Sequence, residues 1–243
     1  MILGKIIGNK IIRIKETVST NSLAKELALK GENEGTVILA EKQTGGRGRL
    51  GRSFFSPDGK GIYMSVILKP EHPLLITSFA SVAVLRAIKK ICDADVKIKW
   101  VNDLYLNGKK ICGILTEGVY QGDSLKYAVL GIGINVKCAD FPDEIADIAT
   151  SIENETGVEI SVEELENQLI NEIEALYKTY TDGEFLDESR SASNVIGRDI
   201  KVIKGDDSFI AKAVGIDEKG GLVIEKDGER SVLYSGEISI RLA

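Results

Sequence analysis

Two hydrophobic periodicities alternate along most of this chain. Short runs that are apolar throughout, or at every second position, predict β-strands over 6–16, 36–43, 62–69 and 124–136. Longer stretches with apolar residues every three or four positions predict helices over 22–31, 74–92 and 161–180, with a further short helix near Glu144. Ser161 and Glu164 form a capping box at the start of the last long helix, whose glutamates we expect to face solvent. This part of the chain therefore combines strands with helices.

A tight hairpin is expected near the middle of the chain. Residues 96–100 have the character of a strand, and Asn107-Gly108 then separates two apolar, β-prone runs, which is a strong hairpin signal. The hairpin holds Lys110 near its turn and Asp103 at the start of its first strand. Taken singly, each residue also has an ordinary explanation, Asp103 as a turn residue and Lys110 as a solvated strand end.

The chain changes character after Arg190. Five short β-prone runs, separated by turns rich in Gly and Asp, fill the remainder of the sequence and predict a small β-barrel. A boundary within 189–194 divides the chain into two expected domains, 1–190 and 191–243.

The composition is that of an ordinary globular protein, and we expect a cytoplasmic one. The 243 residues are 43% hydrophobic and 28% charged, enough for one sizeable core and a smaller second one. A net charge of −6 argues against a general nucleic-acid binder, which uses basic residues to neutralise phosphates. Cys92, Cys112 and Cys138 are odd in number and form no C-x-x-C pattern, so neither a disulfide framework nor a zinc site is indicated. The most apolar long segment, 74–85, is too short to cross a bilayer, so no membrane association is expected.

The segment 41–56 needs a ligand to explain it. It has no acidic residue between Lys42 and Phe55, and glycines interleave its positive side chains, which are Lys42, Arg47, Arg49 and Arg52. Glycines let a backbone approach a ligand closely, and guanidinium groups match carboxylate and phosphate. The letters GRGRLG also satisfy the dinucleotide pattern G-x-G-x-x-G, but no helix is predicted after them and no P-loop lysine ends them. A solvated basic loop is the alternative, and the interleaved glycines favour an anion-binding loop.

Further candidates for ligand contacts lie outside this loop. The tripeptide Ser-Thr-Asn at 19–21 precedes a predicted helix, where one of its side chains is expected as an N-cap and the others remain for a ligand. Gly131 and Gly133 alternate within a predicted strand, which indicates that a ligand or another strand approaches the backbone there, and Asn135 shares their face. His72, the only histidine, is expected on a surface turn, so catalysis by a Ser-His-Asp or Cys-His arrangement has little support.

Five motifs occur in a fixed order along the chain. They are Ser-Thr-Asn at 19–21, Q-x-x-G-R-G-R-x-G-R at 43–52, K-W-x-N-D at 99–103, K-K-x-x-G-I-L at 109–115 and G-x-G-I-N at 131–135. With this series the chain resembles the biotin protein ligase family over nearly its entire length. The resemblance implies an α+β fold, in which a mixed β-sheet packed with helices, related to class II aminoacyl-tRNA synthetases, is followed by an SH3-like β-barrel.

The same resemblance implies an ATP-dependent ligase. Such an enzyme joins biotin to ATP, forming biotinyl-5′-AMP and pyrophosphate, and then transfers biotin to one lysine of a biotin carboxyl carrier protein. The residue types suit the first step, in which a carboxylate must attack an α-phosphate. Two unit charges about 4 Å apart repel by roughly 1 kcal/mol in water and roughly 4 kcal/mol at an effective dielectric constant of 20. Converging cations lower such a barrier without a covalent enzyme intermediate.

Motif positions assign residue roles through the resemblance. The residues implied to contact biotin are Ser19, Thr20, Asn21, Gln43, Arg47, Lys110, Gly113, Gly131 and Gly133. Those implied to contact ATP or the adenylate are Arg49, Arg52, Trp100, Asn102, Lys110, Asn135 and Arg241. Lys110 is the expected main catalytic residue, which bridges the biotin carboxylate and the α-phosphate, and Arg47 assists it. Asp103 is expected to accept the proton of the incoming lysine, and Mg²⁺ is expected to enter with ATP without a dedicated cage of protein ligands.

The sequence departs from the family pattern in two places. Phe54 stands where the family often has Trp, and it preserves an aromatic ring at the end of the loop. No helix-turn-helix segment precedes the Ser-Thr-Asn motif in this sequence, so operator DNA is not an expected partner. A homodimer is expected from the resemblance alone.

Two alternative functions stay open at this point. A lipoate or octanoate ligase or transferase shares the fold and also modifies a carrier lysine, but the complete basic loop and the K-W-x-N-D motif favour biotin. Octanoyl transfer would also use a reactive cysteine, whereas Cys112 lies in a hairpin strand and is expected to be a buried apolar thiol. A non-catalytic ligand-binding or nucleic-acid-binding module would use the basic loop and the terminal barrel. The acidic balance and the presence of Lys110 with Asp103 argue against it.

Overall fold

The computed structural model describes residues 4–234 and 238–242. The strands in this part of the chain are β1 (Ile11–Thr17), β2 (Val37–Gln43), β3 (Gly61–Leu68), β4 (Lys97–Lys99), β5 (Asp103–Leu106), β6 (Lys109–Gln121), β7 (Ser124–Asn135), β8 (Asp199–Lys204), β9 (Asp207–Ile216), β10 (Leu222–Lys226), β11 (Glu229–Leu233) and β12 (Ile238–Leu242). The α-helices are α1 (Thr20–Leu29), α2 (Ile76–Cys92), α3 (Asp143–Ala146), α4 (Ile152–Thr156), α5 (Val162–Tyr177) and α6 (Phe185–Ser191). None of the helices described has the length and apolar character needed to span a bilayer.

The larger sheet is mixed, as expected. Its seven strands lie in the order β1-β2-β3-β7-β6-β5-β4, with β1 parallel to β2 and the other neighbours antiparallel. Every residue of β3 is buried, because helices cover both faces of the sheet. On one face, Ala24 and Ala28 of α1 pack against Ile38 and Ile67. On the other face, α2 and α5 pack together over the main core.

The predicted hairpin is confirmed. Asn107 and Gly108 have φ angles of 49° and 84°, the left-handed values that a two-residue hairpin turn requires. Asp103 pairs with Gly113, and Tyr105 pairs with Lys110, across β5 and β6. The start of β5 therefore lies opposite Gly113, and Lys110 lies nearer the turn.

The smaller sheet contains five strands in the order β11-β10-β9-β8-β12. Among the described residues no pairing joins β11 to β12, so the sheet is open where a closed barrel was expected. The backbone of Ile98 in β4 hydrogen-bonds to Ala192 and Asn194, at 2.9 and 3.0 Å, so the segment just after α6 is still attached to the larger sheet. Buried residues of both sheets belong to one continuous apolar cluster. The division into 1–190 and 191–243 stays a prediction.

Some elements differ from the sequence expectation. The first strand begins at Ile11, because the preceding residues form a turn, and α4 and α6 were not predicted. Ser161 does cap α5, accepting a hydrogen bond from the backbone N–H of Glu164. The expectation that the glutamates of α5 face solvent was wrong for three of them, which are Glu166, Glu172 and Glu174. Each is buried against a basic partner, and these partners are Arg13, Lys90 and Lys178.

Candidate active site

A chain of polar contacts crosses the base of the β5–β6 hairpin. Lys110 Nζ lies 2.6 Å from Asp103 Oδ1, and the two side chains are 30% and 20% exposed. Asn102 Nδ2 donates to the same carboxylate oxygen at 3.1 Å. Arg49 Nη1 of the glycine-rich loop donates to Asn102 Oδ1 at 3.0 Å. Two cations from separate elements thus meet around one carboxylate.

Arg49 remains a cation although it is half-buried. Burial lowers the pKa of its guanidinium, the charge of Asp103 raises it, and the nearby Arg52 lowers it further. An arginine begins from a pKa so high that it stays protonated at neutral pH. Its positive charge is therefore held in a partly desolvated position, where it acts more strongly on an anion than it would in water.

Three glycines open a space beside these charges. A Cβ atom at Gly113 would lie 3.2 Å from Lys110 Nζ and 3.4 Å from the Phe54 ring. One at Gly133 would lie 2.6 Å from the same ring, and one at Gly131 would overlap Asn21 Oδ1. Gly113 pairs with Gly133 across β6 and β7, so the glycines form one patch of bare backbone. The expected close approach to this backbone is made by the side chains of Phe54 and Asn21.

A polar wall adjoins the glycine patch at the start of α1. Ser19 is buried in the N-cap position, but its hydroxyl makes no capping bond, so the expected cap is not made by its side chain. Gln43 Oε1 accepts from the backbone N–H of Thr20 at 2.9 Å, and its Nε2 donates to Ser56 Oγ at 3.0 Å. Asn21 Nδ2 donates to the carbonyl of Leu115 at 3.3 Å. The wall is thus made of neutral donors and acceptors.

A carboxylate that was not among the sequence candidates lies behind this wall. Glu117 of β6 accepts hydrogen bonds from Lys25 at 2.6 Å, from Asn21 at 2.8 Å and from Arg47 at 3.1 Å. Burial alone would raise the pKa of Glu117, but the hydrogen bonds from Lys25 and Asn21 and the charges of Lys25 and Arg47 outweigh it and hold the pKa below its usual value. The signal in the sequence is that Glu117 is the one charged residue in the part of β6 that follows Lys110.

Several predicted nucleotide contacts are not joined to this cluster by a described contact. Trp100 is buried, and its indole N–H donates to the carbonyl of Gly220 at 2.9 Å, so it links the two sheets. Asn135 is also buried and donates to the carbonyl of Thr150 at 2.9 Å. Arg52 lies exposed on the loop, and the side chain of Arg241 lies outside the described part of the structure. Their roles stay predictions.

The arrangement disfavours a cysteine or histidine nucleophile. Cys112 is completely buried, and burial raises the pKa of its thiol far above the ordinary range, so it is not a thiolate at neutral pH. His72 lies on an exposed turn. Within the described ranges, no three His, Cys, Asp or Glu side chains are grouped so as to hold a metal ion. What the site offers is a concentration of cations around one carboxylate, next to neutral polar side chains and a glycine patch that Phe54 and Asn21 cover.

Comparison with known proteins gives a consistent result. Residues 11–135 match the model of the biotin/lipoate A/B protein ligase family, and residues 195–241 match that of the biotin protein ligase C-terminal domain. The chain is 37% identical to the bifunctional ligase/repressor BirA of Bacillus spizizenii, over 97% of this chain and 75% of that protein. It is 29% identical to the biotin–[acetyl-CoA-carboxylase] ligase of Paracoccus denitrificans, over 93% of this chain and 98% of that protein.

A solved structure is similar throughout. The biotin protein ligase of Aquifex aeolicus in complex with biotin and ATP superimposes with a TM-score of 0.84 at 30% identity, covering 97% of this chain and all of that one.

Proposed function

Because the chain belongs to the biotin/lipoate A/B protein ligase family, we propose how its residues share the work of a biotin protein ligase. The chain is an ATP-dependent ligase that activates biotin as biotinyl-5′-AMP and attaches biotin to protein. One observation carries the assignment of its site: Lys110, Asp103, Asn102 and Arg49 are in continuous contact beside the bare backbone of Gly113.

Lys110 and Arg49 serve the first half-reaction. The biotin carboxylate attacks the α-phosphate of ATP, so two anions must come together. The ammonium of Lys110 lies where it can hold one oxygen of each, and the partly desolvated guanidinium of Arg49 stabilises the charge that develops on the phosphate. Removal of one such preorganised donor typically costs about 10²–10³ in rate. Arg47, on the more exposed side of the loop, binds the carboxylate before the attack.

Asp103 serves the second half-reaction. The acceptor lysine must lose a proton before its amine can attack the carbonyl of the adenylate. The described contacts of Asp103, from Lys110 and Asn102, both fall on Oδ1. The other oxygen, Oδ2, is the proposed proton acceptor. The proton on Oδ2 then lies close to the Lys110 ammonium. The positive charge of Lys110 also stabilises AMP as it leaves as an anion.

The bicyclic head of biotin occupies the neutral pocket. Its ring system packs against the Phe54 ring beside the glycine patch, and its ureido group meets the hydroxyl and amide groups of Thr20, Asn21 and Gln43. Ser19, whose hydroxyl is free of a capping role, is a further contact. The pocket carries no charge of its own on these side chains, which suits a neutral ureido group.

Magnesium enters with ATP in this proposal. Mg²⁺ keeps several water ligands and needs only one or two protein carboxylates when phosphate oxygens supply the rest. Of the described carboxylates, Asp103 is the one next to Lys110, whereas Glu117 is held by Lys25, Asn21 and Arg47, so the triphosphate would provide most ligands to the metal. Magnesium would neutralise the pyrophosphate leaving group, and the cations of the protein act on the α-phosphate and the carboxylate.

The acceptor is a lysine of the biotin carboxyl carrier domain of acetyl-CoA carboxylase. This proposal rests on relatives that are biotin–[acetyl-CoA-carboxylase] ligases.

The three cysteines are all free thiols, which supports a cytosolic setting. A homodimer is proposed from family likeness, and light scattering of the purified protein measures it directly.

Release of pyrophosphate from ATP tests the activation step. Biotin, lipoate and octanoate are supplied separately, without a carrier protein, and we expect release with biotin only. Release with lipoate or octanoate instead would reassign the pocket, and release with none of them would refute adenylation.

Lys110→Ala tests the site. We expect its single-turnover adenylation rate to fall about 10²-fold or more, with biotin affinity changed only a few-fold. Lys109→Ala is the matched control, because Lys109 contacts only the carbonyl of Ala146, at 3.3 Å, among its described partners. Equal rates for wild type and Lys110→Ala would remove Lys110 from its role.

A further inference from the structure

A β-bulge lies next to Lys110 in the β5–β6 hairpin. Leu104 pairs with Cys112, but its neighbour Tyr105 pairs with Lys110, so the register shifts by one residue between them. Ile111 is therefore an extra residue of β6 with no partner in β5. Such a bulge bends the strand and re-aims a side chain, and bulges are frequent beside active sites.

The bulge decides which face of the sheet Lys110 occupies. Side chains alternate along a regular strand, so Lys110 and Gly113, three positions apart, would lie on opposite faces. With the extra residue they share a face, because a Cβ atom at Gly113 would lie 3.2 Å from Lys110 Nζ. Lys110 also reaches Asp103 on this face, whereas Ile111 is completely buried in the core. A regular strand would turn Lys110 away from Asp103.

The bulged backbone is held on its other side by the segment 148–150. Strand β7 pairs with β6 only as far as Cys112, so it does not reach Lys110. The segment 148–150 takes its place there. The N–H of Lys110 donates to the carbonyl of Ile148 at 2.8 Å, and the N–H of Thr150 donates to the carbonyl of Lys110 at 2.9 Å. Both main-chain groups of Lys110 are thus bonded to this segment.

One carboxylate ties the segment to the hairpin turn. Glu155 Oε1 accepts from the hydroxyl of the buried Thr150 at 2.8 Å, and Glu155 Oε2 accepts from Asn107 Nδ2 at 3.0 Å. Asn107 belongs to the turn that precedes Lys110, and Thr150 bonds the backbone of Lys110 itself. Glu155 lies in α4, outside the five sequence motifs. It therefore links the two parts of the chain that flank the bulge.

We propose that Glu155 is a positioning residue that holds the bulge, and with it the ammonium of Lys110, in place for adenylation. The inference rests on the proposed role of Lys110 in the activation of biotin. Glu155 acts through Thr150 and Asn107 and makes no contact with biotin or ATP. Without its carboxylate, the turn and the segment 148–150 can move apart, and Lys110 Nζ is no longer fixed between the two reacting anions.

Glu155→Ala removes both hydrogen bonds. We expect single-turnover adenylation at saturating biotin and ATP to slow about tenfold, because a displacement of about 1 Å can cost up to about 100-fold in rate. Biotin affinity in calorimetry should stay within about threefold of wild type. Glu155→Gln should restore the rate to within about threefold, because its amide can accept from Asn107 and donate to the Thr150 hydroxyl oxygen.

A second variant, Lys110→Ala, separates positioning from a general loss of structure. If Glu155 acts through Lys110, its effect should disappear once the ammonium is absent. The double variant should then adenylate biotin at the rate of Lys110→Ala, within about twofold. An equal loss of rate from Glu155→Ala in both backgrounds would overturn the inference, and so would an unchanged rate in the single variant.

Hydrogen exchange gives a readout that does not depend on activity. The backbone amide of Lys110 should exchange about tenfold faster in Glu155→Ala, because its bond to Ile148 opens more often. Glu159→Ala is the control, since Glu159 is 93% exposed and its described partner is Lys137, at 3.9 Å. Its rate and exchange should equal those of wild type. Unchanged protection of the Lys110 amide in Glu155→Ala would overturn the inference. Failure of wild type itself to release pyrophosphate with biotin would instead count against the proposed function.

Discussion

Gly131→Ala is the sharpest single test of the pocket. The added Cβ would overlap Asn21 Oδ1, and the backbone on both sides of Gly131 is held, because it pairs with Ser65 in β3 and with Leu115 in β6. The sheet is therefore fixed around this position, and the side chain of Asn21 must move. The substitution acts on the pocket through one displaced amide.

The cost of that displacement follows from the bonds that hold Asn21. Asn21 Oδ1 accepts from Ser65 at 2.6 Å. Asn21 Nδ2 donates to Glu117 at 2.8 Å and to the Leu115 carbonyl at 3.3 Å. Leaving a buried polar group without its partner costs about 1–3 kcal/mol. Disturbing two of the three lowers the unfolding free energy by about 3 kcal/mol, in the free and the bound protein alike. Biotin itself loses the proposed hydrogen bond to the displaced amide, about 1–1.5 kcal/mol, which predicts binding weaker by about 5- to 10-fold.

Calorimetry with biotin measures this loss, and thermal unfolding checks that the fold is kept. Gly215→Ala is the control, because Gly215 also lies in a strand and a Cβ there meets nothing within 4 Å. We expect wild-type biotin affinity in the control. Biotin affinity within threefold of wild type in Gly131→Ala would show that Asn21 does not shape the pocket.

Three further outcomes are expected. Arg47→Ala should weaken biotin binding about tenfold in calorimetry without lowering the melting temperature. The reason is that a charge-assisted hydrogen bond is worth about 1.5–3 kcal/mol, at the lower end here because Arg47 is partly exposed. Unchanged affinity would exclude a contact between Arg47 and the biotin carboxylate. Glu174→Gln should cost about 1–3 kcal/mol of unfolding free energy, because Glu174 accepts from the backbone of Ile7 at 2.8 Å. Burial would raise the pKa of Glu174, but hydrogen bonds from Lys178, Ile7 and Ile6 hold it below its usual value of about 4.5. This stability is therefore present above about pH 4.5 and is lost as the pH falls through the folded pKa. Denaturant titrations whose difference from wild type does not shrink in acid would contradict it. Trp100→Phe should lower the free energy of unfolding by about 1 kcal/mol, because the hydrogen bond to Gly220 is lost. An equal melting temperature would show that this hydrogen bond does not stabilise the protein.

The sequence predicted elements whose causes are local. The Asn107-Gly108 turn, the strands next to it and the N-cap at Ser161 depend on residues close in sequence, and all are present. A close contact at the glycines of β7 was also predictable, because alternate glycines leave space above the strand. The side chains that occupy this space, Phe54 and Asn21, come from distant segments and were not predictable.

The residues that the sequence did not reveal are those defined by distant contacts. Glu117 and Asn21 are 96 positions apart, and Ser65 and Asn21 are 44 apart. No periodicity carries such pairs. A weak signal did exist for Ser65, since it is the one serine or threonine in β3, whose centre is otherwise apolar apart from Tyr63. A polar residue there needs a buried partner.

The glutamates of α5 were misjudged for the same reason. A helical pattern separates apolar from charged faces, but it does not show what covers the charged one. Glu174 is covered by the backbone of Ile6 and Ile7, a segment more than 160 positions away in sequence. The sequence likewise did not show that, among the described residues, β11 and β12 would be left unpaired, because a local pattern does not specify which distant strand is a partner.

The cations of the site differ in how readily they can change partners. Lys110 and Asp103 lie on one rigid hairpin, and Asn102 reinforces the carboxylate, so this pair loses little conformational entropy in forming. Arg47 stands on a glycine-rich loop, with 44% of its side chain exposed, and its bond to Glu117 is long at 3.1 Å. An exposed ion pair of that kind is worth only about 0–1 kcal/mol and weakens with salt.

Exchange of Glu117 for the biotin carboxylate that we propose at Arg47 should therefore cost little. We expect the pair of Lys110 with Asp103 to persist through both half-reactions. Biotin affinity should accordingly fall with rising ionic strength in wild type and lose most of that dependence in Arg47→Ala, whereas Lys110→Ala should retain it. A salt dependence that instead disappears with Lys110 would exchange the roles of the two cations.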